Sequence, residues 1–283
     1  VATLAAVGCG PVDPARAPAP FPTSGAGEPA PERILTLAPN LTEIAFALGL
    51  GDRVAGVSEY ASWPAEAREL PSLGGLFDPN LERAVALEAD LAILLPSQDR
   101  VARHLERAGV DTLTVELETL DDLEAGIVAI GERCGAAAAG RALVARLRRE
   151  LAPRPVQGAP ETMISVDRPP GRTEGVVVAG PGTHFHELLG RLGAENAFAD
   201  APGRYPEIGL EEVLARSPGA VLELRPEPLP EAARERLLAD WRRFPELRGG
   251  ARVIAGDWAM VLGPRLPTLY RAMERALREL ARP

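Results

Sequence analysis

From Arg33 onwards, short apolar runs alternate with amphipathic stretches. Ile34-Leu35-Thr36-Leu37-Ala38 is a continuous apolar run stopped by Pro39, the pattern of a strand buried on both faces. Asn40, with Glu43 three residues later, has the form of a capping box. Leu41, Ile44, Ala45 and Leu48 then recur at helical spacing, and Gly49 supplies the stop. A second strand is predicted over 54–57, a helix from about Leu81, and a strand over 91–95. A helix over 100–108 and a strand over 112–115 complete this half. Between the second strand and the helix at Leu81 lies a long loop, 58–80, holding Tyr60, Trp63, three separated prolines and Gly74-Gly75. Loops of that length and aromatic content more often carry function than filler.

Over 120–151 the helical pattern persists far longer than elsewhere. Leu123, Ile127 and Ile130 form one stripe, and Leu143, Leu147 and Leu151 form another after a break at Gly135, before Pro153 and Pro155 end the run. Strand-helix alternation then resumes, with strands over 162–166 and 175–178 and a helix through Phe185, Leu188, Leu189 and Leu192. The expected fold is α/β: two Rossmann-like lobes with mostly parallel sheets, joined by one long backbone helix. An echo within the chain supports two related halves. Leu81-Glu82 leads through Ala86 to the strand ending at Leu95, and Leu210-Glu211 leads through Ala215 to the strand ending at Leu224 without a gap. The boundaries that follow are 32–134 for the first lobe, 135–158 for the bridging helix and 159–283 for the second lobe.

Composition narrows the function. At 283 residues with 46% hydrophobic and 25% charged positions, the chain suits two soluble lobes. Its net charge of -9 leaves no basic surface to neutralise phosphates, which argues against nucleic acid. Every basic residue apart from histidine is arginine, so Schiff-base lysine chemistry and a GxxxxGK[ST] phosphate loop are excluded. No GxSxG, HExxH, CxxC or dinucleotide fingerprint is present, and the chain is expected not to be an enzyme. His104 falls inside a helix as a solvated residue. His184 and His186 stand two apart on a helix and point in different directions, which disfavours a metal pair. His184 alone is a candidate for the space between the lobes, where strands present their carboxyl ends.

Before the first strand the pattern changes. Leu4 to Cys9 is a small-residue apolar run ending in cysteine, and 10–31 is rich in Pro, Ala and Gly with little to bury. The first nine residues read as the end of a lipoprotein signal with Cys9 as the lipidation site; an ordinary secretory tail is the alternative. The stretch 10–31 reads as a tether. Cys134 is then a lone thiol, expected to be buried and inert.

Several segments together resemble the cobalamin, siderophore and haem class of periplasmic binding proteins of ABC importers, most of all its cobalamin-binding branch. They are Arg33 to Asn40 with Thr42-Glu43, Val57-Ser58-Glu59-Tyr60 with Pro64, Asn80 to Arg83, Ala194 to Phe198, Glu211 to Pro218, and Gly256-Asp257-Trp258. The resemblance spans Arg33 to the C-terminus and implies the class III arrangement, two lobes bridged by a helix with ligand held between them. It implies a receptor, likened to a monomer, for cobalamin or a related corrinoid; haem or a ferric siderophore is the alternative, and a zinc or manganese receptor is disfavoured by the few histidines. By resemblance, Glu82 and Glu211 dock on a two-fold symmetric permease that works with ATPase subunits, and the chain is held to the outer face of the cytoplasmic membrane through Cys9. Ligand contacts are expected from Asn40, Tyr60, Trp63, Phe77, His184, Tyr205, Asp257, Trp258 and Arg265. The chain departs from the family pattern in places: Phe77 replaces a tryptophan in a loop one residue longer, Val177 stands where an aromatic is expected, and Val261 where a rim arginine is expected. Arg265 is the candidate replacement for that arginine.

Overall fold

The computed structural model describes residues 29–169, 171, 175–244, 247 and 250–281. The first lobe is built on β1 (Ile34–Thr36), β2 (Val54–Val57), β3 (Leu91–Leu94) and β4 (Asp111–Thr114), in the order β2-β1-β3-β4 with every pairing parallel. Both central strands, β1 and β3, are buried along their whole length, as continuous apolar runs require. Helices α1 (Pro39–Ala47), α2 (Leu81–Ala86) and α3 (Asp99–Arg107) return the chain between strands.

The start of α1 differs from the capping box expected at Asn40 and Glu43. Proline occupies the first turn and Ala38 the N-cap, with no side-chain cap. Asn40 Oδ1 accepts only from the adjoining Leu41 N–H at 3.0 Å, while Glu43 is buried and turned to a distant partner.

The helical stretch over 120–151 is folded into two helices, α4 (Leu120–Arg133) and α5 (Ala137–Glu150). Gly135, with φ +73°, turns the chain between them in a conformation that favours glycine. The pair runs antiparallel, since Arg148 on α5 reaches back to Glu124 on α4 at 2.9 Å. They cross closely where glycines face each other: a Cβ on Gly140 would stand 3.3 Å from the Ile127 carbonyl. Within the segment 135–158 the helical part is α5. At its start, Arg53 of the first lobe donates to the Cys134 carbonyl at 2.8 Å. Past its end, Arg191 of the second lobe donates to the Leu151 carbonyl at 2.9 Å.

In the second lobe β5 (Thr162–Asp167), β6 (Val176–Val178), β7 (Glu207–Ile208), β8 (Ala220–Arg225) and β9 (Ala251–Ala255) lie in the order β7-β6-β5-β8-β9. β5, β8 and β9 are parallel, but β6 pairs antiparallel with both β5 and β7. The short connection 168–175 cannot hold the crossover that parallel pairing demands, so the chain turns back. Helices α6 (His184–Arg191), α7 (Leu210–Arg216), α8 (Glu231–Trp241) and α9 (Leu266–Leu280) complete the lobe.

One apolar core runs through both lobes, from Leu41, Ile44 and Leu91 past Ile127 and Ile130 to Leu188, Leu222, Leu269 and Met273. Such a shared core opposes large rigid-body swings between the lobes. The internal echo has a structural counterpart. Both α2-β3 and α7-β8 place a strand beside the opening strand of its sheet, β1 or β5. Glu82 and Glu211 each stand at the second residue of their helices, exposed.

Candidate functional site

Parallel strands align their carboxyl ends on one edge of a sheet, and the loops leaving that edge are the natural place for a ligand. In the first lobe those loops carry Asn40 after β1, Tyr60 and Trp63 after β2, and Glu116 to Thr119 after β4. The last of these touches the second lobe: the Glu118 carbonyl accepts from the His184 N–H at 2.7 Å, and the Glu187 carboxylate accepts from Leu120 N–H at 2.7 Å. Asp257 and Trp258 leave the corresponding end of β9.

The loop over 58–80 is held in place rather than free. Val57 bridges to Ser72, Gly74 bridges to Pro79, and a short 3-10 turn covers Ala65–Glu69. Buried Gln98 donates to the carbonyls of Leu37 and Leu76 at 2.9 and 2.8 Å, tying the loop to the end of β1. On this fixed support the aromatic rings stand out. Phe77 is 65% exposed, Tyr60 and Trp63 are 47% exposed, and Tyr205 of the second lobe is 39% exposed. With Val85 these are the large apolar side chains left exposed among the described residues.

The predicted residues gather in three groups. Around Arg265, Trp63 lies with its ring centroid 5.0 Å from the guanidinium, Glu43 Oε1 accepts from Nε at 3.0 Å, and Asp257 Oδ1 accepts from Nη1 at 2.9 Å. Ser62 donates to the second Asp257 oxygen at 3.3 Å. Arg265 and Asp257 belong to the second lobe and the rest to the first, so this group is a bridge between lobes. Burial raises the Glu43 carboxyl above its ordinary range even though Arg265 opposes the shift.

The second group surrounds Glu118. The Tyr205 hydroxyl donates to the Glu118 carboxylate, and burial of that end raises both the phenol and the carboxyl above their ordinary values. Arg204 pairs with Glu116 at 3.3 Å. His184 is only 3% exposed, its Nδ1 lies 3.3 Å from the Glu118 carbonyl, and burial lowers its pKa to about 4. It is a packing residue beneath the group, held by the Glu118 carbonyl and against the Phe185 ring at a centroid distance of 3.9 Å. This differs from the expectation that His184 faces the space between lobes. The third group holds Tyr60, whose hydroxyl bonds Glu59 with Asp78 near by; the negative charge raises the phenol pKa. Phe77 is on the same turn as Asp78.

Trp258 is half-buried, lying against Gly256 and the shared core rather than standing free, and Asn40 is half-buried beside Gly263. The residues that local patterns did not reveal are Glu43, Glu59, Ser62, Asp78, Glu116, Glu118 and Arg204. Glu43 and Glu59 lie in segments that carry the resemblance, and Glu59, Asp78 and Arg204 adjoin predicted rings in sequence, whereas Ser62, Glu116 and Glu118 meet their partners Asp257, Arg204 and Tyr205 only in the fold. Cys9 lies outside the described residues. Cys134 is buried, and burial pushes its thiol up to about 11, consistent with inertness. A surface cavity of about 430 Å³ lined by Glu161, His186, Asn196, Asp200 and Arg216 includes none of the predicted ligand residues.

Comparison with known proteins places this geometry. The family described as periplasmic binding protein matches residues 34–227. The chain belongs to the periplasmic binding protein family. This is a family of extracytoplasmic substrate-binding proteins rather than of enzymes. A vitamin B12-binding protein from Vibrio parahaemolyticus is 30% identical over 203 residues, 71% of this chain and 73% of the relative. The periplasmic vitamin B12 binding protein BtuF of Vibrio cholerae superposes with a TM-score of 0.71 at 25% identity, covering 89% of this chain and 99% of its own. A periplasmic heme binding protein from Pseudomonas aeruginosa superposes with a TM-score of 0.74 at 27% identity, covering 89% and 95%.

Proposed function

We propose that this chain is the substrate receptor of an ABC importer and captures cobalamin, or a related corrinoid, between its lobes. The observation that carries the reading is the placement of its exposed rings: Tyr60, Trp63 and Phe77 on one lobe and Tyr205 on the other. Flat rings offer large contact area at little entropic cost, which suits a broad macrocycle fringed with amides. The names of the relatives support the same ligand. Glu82 and Glu211, at matched exposed helix starts, suit docking on a two-fold symmetric permease. The double variant Glu82→Ala/Glu211→Ala is expected to keep ligand affinity and lose uptake in reconstituted vesicles; unchanged uptake would remove the docking role. Cys9 is the proposed lipid anchor, to be checked by the mass of the N-terminal peptide.

Haem is the second reading, favoured by the heme-binding neighbour and by two exposed tyrosines, a residue type that can ligate iron. Against it, each phenol is engaged by a carboxylate and His184 is buried. The deciding experiment is calorimetric titration of the purified full chain with cyanocobalamin and, separately, with hemin. Saturable one-to-one binding of cyanocobalamin is expected. Silence with cyanocobalamin and a Soret shift with hemin would replace the vitamin by haem.

A further inference from the structure

The charges around the four exposed rings are strongly one-sided. Tyr60 has Glu59 and Asp78 beside it, Tyr205 has Glu118, and Arg204 next to Tyr205 is paired with Glu116. Under Trp63, Arg265 is held by Glu43 and Asp257. The rings are thus accompanied by six carboxylates and three guanidiniums: Arg204 and Arg265 are occupied by carboxylates of the protein, and Arg68 donates to the Ser62 carbonyl beside Trp63. The carboxylates therefore outnumber the guanidiniums two to one. A ligand bearing its own carboxylates would stand among an excess of like charges, and because Glu59, Asp78 and Glu116 are exposed this repulsion is one that salt screens.

We infer that the site between the lobes selects by charge as well as by shape, accepting a neutral or cationic macrocycle and rejecting one that carries free carboxylates. The amide fringe of a corrinoid meets this condition because it is uncharged and can donate N–H bonds to the carboxylates around Tyr60 and Tyr205. The two propionates of haem do not meet it. Glu59, Asp78, Glu116 and Glu118 are thereby specificity residues, acting by exclusion of the wrong charge. The inference rests on the corrinoid reading above for its choice of ligand, but the charge pattern itself does not.

The test compares cyanocobalamin with a derivative in which one peripheral propionamide has been hydrolysed to propionate, each titrated calorimetrically into the full chain. At about 50 mM salt the propionate form is expected to bind roughly tenfold more weakly, and the gap is expected to shrink near 0.5 M salt. The Glu59→Gln/Asp78→Asn variant should narrow the gap at low salt. Equal affinities at low salt, or a gap indifferent to salt and to the variant, would overturn charge selection while leaving the corrinoid reading in place. If cyanocobalamin does not bind and hemin does, the corrinoid reading falls. Charge selection is then judged by hemin against the bis-amide of its propionates: tighter binding of the bis-amide sustains it, and equal or weaker binding overturns it.

Discussion

Arg168 and Arg265 each gather two carboxylates and an aromatic ring, but the first does so inside one lobe and the second across two. Arg168 and Glu223 are fully buried and bonded at 3.0 Å. Asp240 adds a second contact at 2.9 Å, and the Trp241 indole N–H donates to Glu223 at 2.6 Å. Arg225 closes the cluster on the other Glu223 oxygen. All of these residues lie on or beside β5, β8 and α8, so the network fixes how one lobe packs on itself. Arg265 keeps some exposure and collects Glu43 and Trp63 from the opposite lobe. Desolvation makes both clusters costly to assemble and more costly to leave half-made. The difference is that Arg265 borders the ring surfaces where a ligand would lie, so its bonds are within reach of ligand and of pH.

Removing one side of each cluster should separate the two roles. Glu223→Ala leaves Arg168, Arg225 and the Trp241 N–H without their shared acceptor, and about 3–5 kcal/mol of stability is expected to be lost. Denaturant unfolding would show it, and a change below about 1 kcal/mol would mean that water or Asp240 replaces Glu223.

A second effect is read against pH, through two groups at the junction of the lobes that titrate with opposite signs. His184 is lowered from 6.5 to about 4, so the unfolded chain takes its proton first; stability is complete above pH 6.5 and falls as pH drops toward 4, by roughly 3 kcal/mol at most. Glu43 is raised above 4.5, so the folded chain keeps a proton that the unfolded chain has released, and its contribution weakens as pH rises through that interval. Melting temperatures of His184→Asn between pH 4 and 7 should therefore lose the acid-side decline of the parent chain. An unchanged decline would assign it to other groups.

The smallest effect is expected for Arg265→Met, about 1–2 kcal/mol, because Glu43 can take up a proton once its partner is gone. The loss should grow as pH rises above 4.5. A loss as large as that of Glu223→Ala, and flat with pH, would show that the lobe bridge is as rigid as the lobe interior.

The elements were legible where burial was simple. The apolar runs predicted β1 and β3 because strands buried on both faces read as unbroken hydrophobic stretches, and 54–57 coincides with β2. Gly135 marked the turn between α4 and α5, but their antiparallel return depends on Gly131 and Gly140 meeting across helices, which periodicity does not encode. Glu43 looked like a local cap because its nearest sequence partner was Asn40, whereas its charge is met by Arg265, 222 positions away. Arg168 drew no reading from the sequence, because its partners Glu223 and Asp240 lie 55 and 72 positions away. The loop aromatics Tyr60, Trp63 and Phe77 were visible as a cluster among prolines, and all three are exposed. His184 carried no mark of its burial, because the Glu118 carbonyl that holds it lies 66 positions away.

The central claim is that ligand is gripped by rings from both lobes at once. Cyanocobalamin titration of Tyr60→Ala, Tyr205→Ala and the double variant tests it most directly. Each single change should weaken binding by roughly tenfold, in line with the worth of an aromatic contact, and the double change should multiply the two losses. Loss from one lobe's tyrosine alone, with the other variant binding as the parent does, would contradict a site shared between the lobes.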